Sequence, residues 1–280
     1  MKCSLLRLLA LFTASLFWLG SAFAQNVSSE TLRSVAAIVT DDGQGGRRPI
    51  GTGFFVDVPS KAFAGNSFVY FITARHNLLD SQGRPRTQLW VRLEDSSTRV
   101  IQDEPLAQEP HWILDPKDPS ADVAAIPFSP SKTRFSTIPI SWFLDQSSST
   151  TMAVDSQIGS DAYYLTMTSS DGVNPRFVPV ARFGKVSVAE PTQGQVPGAG
   201  KTYLCFIDGG GGSELSGAPV FLRTPEQFVF WGMMEAKAAD SSNNPLGGLV
   251  GVVPASYIAE TVLAMAERQE SVRRRSTVSN

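Results

Sequence analysis

Apolar residues along this chain fall in short runs separated by clusters of Gly, Pro, Ser, Asp and Asn. Runs at 35–39, 53–58, 68–73, 88–93, 123–128, 163–167, 176–180, 203–207, 228–234 and 249–253 are rich in β-branched and aromatic residues. Many short strands at such spacing predict a sandwich or barrel. One later segment departs from the pattern: in 254–267, "PASYIAETVLAMAE", good helix formers place Ile258, Val262 and Met265 at helical spacing behind Pro254. That predicts a C-terminal helix docked on the strands. The polar stretch 268–280, with its arginine triplet at 273–275, predicts a frayed, solvated tail.

The amino terminus has its own pattern. Lys2 and Arg7 flank the start of an uncharged apolar run, 8–20, followed by Ala22-Phe23-Ala24 ahead of Gln25. The arrangement predicts a cleavable export signal over 1–24. About 13 apolar residues make a helix of only ~20 Å, short of the ~30 Å hydrocarbon core, so a membrane span is not expected. Cleavage removes Cys3 and leaves Cys205 as the sole cysteine, which excludes an intramolecular disulfide. The localisation expected is periplasmic or secreted.

Composition narrows the function classes. With 280 residues, 42% hydrophobic and 18% charged, the chain can bury a large core. A formal net charge of −2 gives no reason to expect a nucleic-acid partner. Two histidines and one retained thiol make a Cys/His zinc site unexpected, and no metal or cofactor is predicted. "GAGKT" at 198–202 lacks the first glycine of a phosphate loop, having Gln195 in its place. Gly51-Thr52-Gly53 reads as a strand entry where backbones pack closely.

The segment 208–221, "DGGGGSELSGAPVF", poses the chemical question. A serine hydroxyl attacks poorly at neutral pH without a base, usually a histidine held by a carboxylate. His76 follows the alternating strand of "FVYFITARHNLLD", whereas His111 in "EPHWILDP" has no rigid support and suits a surface loop. Among Asp115, Asp118 and Asp122, the first two precede proline and suit turns, and Asp122 opens an apolar strand. Ser216, with small neighbours and a strand behind it, is a better nucleophile than Ser213, which ends the glycine run.

Together "IGTGFFV", "FITARHN", "DVAAI" and "SGAPVF" resemble the motif series of chymotrypsin-fold serine peptidases, particularly the bacterial trypsin-like and HtrA-type branch, over about residues 30–268. The order His, Asp, Ser is that of the fold. "FVFWGMM" is similar to the strand bordering the substrate cleft, and "LVGVVPASYIAETV" to the closing strand and C-terminal helix. The resemblance implies an all-β fold of two six-stranded antiparallel β-barrels with a C-terminal α-helix. Residues 30–140 would carry His76 and Asp122, residues 141–268 Ser216, and 269–280 a disordered tail. It further implies a serine endopeptidase acting on peptide or protein substrates through an acyl-enzyme, with the backbone N–H groups of Glu214 and Ser216 as oxyanion donors.

The sequence departs from the family pattern at three positions. Glu214 stands where most active members have glycine, bringing a carboxylate near a developing oxyanion. Leu215 replaces the aspartate that pairs with a new amino terminus in trypsin-like zymogens, which removes that activation route. Gly210, at the expected floor of the specificity pocket, brings no charge for a basic side chain and predicts preference for small or apolar residues. Two other readings follow: a catalytically impaired relative used as a peptide- or protein-binding module, and a structural envelope protein of unrelated β fold.

Overall fold

A computed structural model describes residues 27–94, 101–106, 111–118, 120–129, 135–144, 157–169, 177–196, 200–210, 215–224, 228–239 and 245–278. The predicted signal segment 1–24 lies outside the described residues.

After a short helix, α1 (Ser29–Leu32), capped by the Ser28 hydroxyl, the chain forms two β bodies. The first contains β1 (Val35–Asp41), β2 (Arg47–Pro59), β3 (Ser67–Thr73), β4 (Leu89–Glu94), β5 (Ile101–Pro105) and β6 (Ala124–Pro127) in the order β5-β4-β1-β2-β3-β6, with β7 (Ile138–Pro139) added parallel to β2. The second is a closed barrel of β8 (Asp161–Ser169), β9 (Phe177–Val196), β10 (Gly200–Gly209), β11 (Pro219–Arg223), β12 (Phe228–Ala239) and β13 (Pro245–Pro254). Helix α2 (Ala255–Val278) ends the chain. This is the all-β, two-body architecture with a terminal helix that the apolar runs and motifs predict. In one respect the first body differs from a six-stranded barrel: it has seven strands, and among the described residues its path is open between β5 and β6.

Most predicted strands lie where the apolar runs are, because a strand buried on both faces needs a continuous apolar stretch. The structure adds β5, which the pattern missed: its residues are half-buried or exposed and mostly polar, so it carries no burial signal. Arg92 on β4 holds it through paired bonds to Asp103 of 2.6 and 2.7 Å.

One apolar cluster joins the two bodies. Phe54 of β2 meets Phe230 of β12 with ring centroids 5.3 Å apart, and Phe221 and Tyr163 continue the contact into the barrel. Each such ring pair contributes ~0.5–1.5 kcal/mol beyond area burial. The bodies are therefore fixed at the seam where the candidate residues lie.

Helix α2 buries Ile258, Val262 and Ala266, with Met265 partly buried beside them. It continues as helix to Val278, well beyond the stretch expected from the sequence, so 269–278 is not the frayed tail predicted from its polarity. Tertiary contacts account for the extension. Glu270 accepts hydrogen bonds from the Ser60 hydroxyl and the backbone N–H groups of Lys61 and Ala62, Tyr70 donates to Gln269 at 2.9 Å, and the Arg273 guanidinium lies over Phe68. No described helix is long and apolar enough to cross a membrane.

Candidate active site

Strand register brings His76 and Asp122 together. β3 and β6 are antiparallel with Thr73 opposite Ala124, so the residues leaving β3 run beside those entering β6. The chain turns from Thr73 into a 3-10 turn, Arg75–Leu78, which carries His76. The Arg75 N–H bonds the Asp122 carbonyl at 3.3 Å, and the His76 N–H bonds Asp122 Oδ1 at 2.9 Å. The second carboxylate oxygen, Oδ2, lies 2.5 Å from His76 Nδ1. Asp122 thus grips both the backbone and the ring of the histidine, fixing the tautomer with Nε2 free to accept a proton.

Ser216 is placed in the same way by the other body. β11 begins at Pro219, opposite Met233 of β12, and the pairing extends backwards through Met234 N–H to Ala218 (2.7 Å) and Gly217 N–H to Met234 (2.8 Å). Ser216 Oγ stands 2.8 Å from His76 Nε2. Residues from three distant points therefore form a continuous hydroxyl, imidazole and carboxylate chain. His111, by contrast, is an exposed loop residue. Asp115 and Asp118 make the local turns expected of them, Asp115 accepting from the N–H groups of Lys117 and Asp118 and Asp118 from that of Ser120.

The seam between the bodies is hydrogen-bonded as well as apolar. The Ser216 carbonyl accepts from the Thr52 N–H at 2.9 Å and from Asn77 Nδ2 at 3.0 Å. Asn77 also donates to Thr73 Oγ1, which donates to the Thr52 carbonyl at 2.8 Å. Gly217 fits this seam because its φ is +89° and a Cβ there would sit 2.0 Å from the Thr52 carbonyl oxygen. At Gly51 and Gly53 side chains, not a second backbone, press on the bare main chain: added Cβ atoms would lie 2.4 Å from the Asn77 amide and 2.2 Å from the Phe71 ring.

Burial and charge act together on Asp122. Its side chain is fully buried, which by itself raises a carboxyl pKa, yet the His76 ring, the Glu235 carboxyl beside it and the bond from the His76 N–H outweigh burial and hold it below the usual range. Glu235, also fully buried on β12, was not singled out from the sequence; its Oε2 is 3.6 Å from His76 Nδ1. The available signal was a lone acid directly after the apolar run "FVFWGMM". Asn77 and Thr52 were likewise missed as partners, since a short polar residue at a strand end has many uses.

One donor atom from each of His76, Asp122 and Glu235 lies within 4.8 Å of the others. Two ligands of a tetrahedral zinc at about 2.0–2.1 Å stand about 3.3 Å apart. The 2.5 Å approach of Nδ1 to Oδ2 is instead a hydrogen bond, so the arrangement as it stands does not fit a metal.

Leu215 is buried among Val186, Ile207 and Met234 in the barrel interior, packed as an apolar side chain with no charged role. Tyr164 Oη donates to the Gly210 carbonyl at 2.8 Å, and the nearest cation to a Gly210 Cβ would be Arg182, 4.0 Å away. Glu214 and Ser213 lie outside the described residues. Ser216 has no exposed surface, while the His76 side chain is 18% exposed.

No protein family and no curated protein matches the chain. Among solved structures it is similar to one described as "Structure of GrC", at 14% identity, covering 85% of this chain and 96% of that one, with a TM-score of 0.47.

Proposed function

We propose that the protein is an exported serine endopeptidase of the trypsin-like class, working through an acyl-enzyme. The observation that carries this reading is the unbroken path Ser216 Oγ, His76 Nε2, His76 Nδ1, Asp122 Oδ2, with steps of 2.8 and 2.5 Å across the imidazole. His76 takes the hydroxyl proton as Ser216 Oγ bonds to the peptide carbonyl carbon. The resulting imidazolium lies against the Asp122 carboxylate, which neutralises it without taking the proton. Collapse of the tetrahedral adduct expels the amine, which receives its proton from His76 Nε2. Water, deprotonated by the same nitrogen, then adds to the acyl carbon, and as the bond to Ser216 Oγ breaks to release the acid, His76 returns the proton to that oxygen. The backbone N–H groups of Ser216 and Glu214 are the proposed oxyanion donors. Gly210 and the nearby Arg182 support small or apolar side chains over lysine or arginine before the scissile bond.

A fluorophosphonate probe tests the proposal. The folded protein should be labelled, Ser216→Ala should abolish the label, and Ser213→Ala should keep it. The full burial of Ser216 favours a second reading, in which the same cleft binds peptide without turnover. Folded protein that binds peptide and never labels would establish that reading and remove the first.

A further inference from the structure

The pairing that places Ser216 also places Glu235. With Met234 bonded to Gly217 and Ala218, the next residue of β12 projects beside the triad, within 4.8 Å of both the Asp122 carboxylate and His76 Nδ1. Glu235, Asp122 and the ring stand together at a site where both carboxyls are fully buried.

We infer that Glu235 is a proton-bearing positioning residue, whose neutral carboxylic acid donates a hydrogen bond to the Asp122 carboxylate and so braces the imidazole in its catalytic orientation. This deepens the peptidase reading and rests on it for its catalytic consequence. The charge argument is direct. One carboxyl oxygen of Glu235 lies within 4.8 Å of one of Asp122, and both side chains are fully buried. Two buried carboxylates in contact cannot both ionise without a counter-charge, so one proton stays with the pair. Asp122 already accepts two N–H groups from His76 and is the better anion, which leaves the proton on Glu235.

Among the described residues, the acid and the histidine beside Glu235 are Asp122, from the entry to β6, and His76, from the 3-10 turn. If Glu235 were ionised as well, the imidazole would meet two negative charges and be held as a cation, unable to accept the Ser216 proton. A neutral acid gives the hydrogen bond without that second charge.

The experiment has one readout that needs no turnover. In the infrared difference spectrum of wild type minus Glu235→Gln at pH 7, the C=O stretch of a protonated carboxylic acid should appear. Glu235→Ala should slow fluorophosphonate labelling about 10- to 100-fold, the loss of one hydrogen bond to a charged group. Glu235→Gln, whose amide still donates to Asp122, should recover most of that loss. Absence of the acid band overturns the inference, as does labelling of Glu235→Gln no faster than that of Glu235→Ala. Inhibition by zinc that Glu235→Gln relieves would assign the cluster to metal binding and overturn it equally. A band present in a protein that never labels refutes the peptidase reading and leaves the proton on Glu235.

Discussion

Replacing Gly217 by alanine tests the seam that aligns Ser216 with His76. Two separate costs arise. At φ +89° a residue with a side chain is strained, which costs about 1–3 kcal/mol. The new Cβ would also lie 2.0 Å from the Thr52 carbonyl oxygen and 2.7 Å from Thr73 Oγ1. Neither is the free end of a flexible side chain, since Thr52 lies within β2 and the Thr73 hydroxyl is held by bonds to Thr52 and Asn77. Parting the two bodies to admit the methyl adds about 1–3 kcal/mol of overpacking, for a total near 2–6 kcal/mol, a large share of a typical folding free energy. Gly83→Ala is the control: its φ is +73° with nothing within 4 Å of a Cβ, so only the strain applies. Urea unfolding followed by tryptophan fluorescence measures both, and probe labelling reports the alignment. Gly217→Ala should lose clearly more stability than Gly83→Ala and label far more slowly. Equal losses, with labelling intact, would show that the contact between Ser216 and the first body does not hold the nucleophile.

Three further outcomes follow from the same structure. Asn77→Ala removes the side-chain donor to the Ser216 carbonyl and should cost about 1–3 kcal/mol in urea unfolding, with slower labelling; an unchanged midpoint would contradict a bond across the seam. The Cys205 thiol is buried, donates to the Ala189 carbonyl at 3.1 Å, and is pushed up to about 12 by burial, so a disulfide reagent at pH 8 should react with it only after unfolding. Glu270 is held below the usual carboxylate range: burial works against this, and the bonds from Ser60, Lys61 and Ala62 outweigh it. Its anchoring of α2 is therefore complete above the ordinary glutamate range and lost as pH falls through the depressed value. Glu270→Ala should accordingly expose the 268–275 segment to trypsin at neutral pH, and a segment as resistant as in the wild type would show that the bonds do not hold the helix.

Much of the architecture is visible in the sequence because burial on both faces of a strand requires apolar residues wherever it occurs. The runs at 68–73 and 228–234 coincide with β3 and β12, and the apolar face of 254–267 with the docked part of α2. The three candidate site residues were legible for a chemical reason: with two histidines and few strand-opening acids, the number of possible bases and orienting carboxylates was small. Polar contacts over long separations left no such trace. β5 rests on Arg92 and Asp103, the extension of α2 on Glu270 and the β2–β3 turn, and neither partner can be identified from its own neighbours.

The sequence alone determined which side chains were available and which segments must be buried, since both are properties of residue type and local periodicity. Tertiary structure decided which of them touch. Thr73 opposite Ala124 sets His76 beside Asp122, and Pro219 opposite Met233 sets Ser216 and Glu235 at the same seam. Register depends on pairing between distant strands, and a shift of one residue would reverse the face on which each of these groups lies.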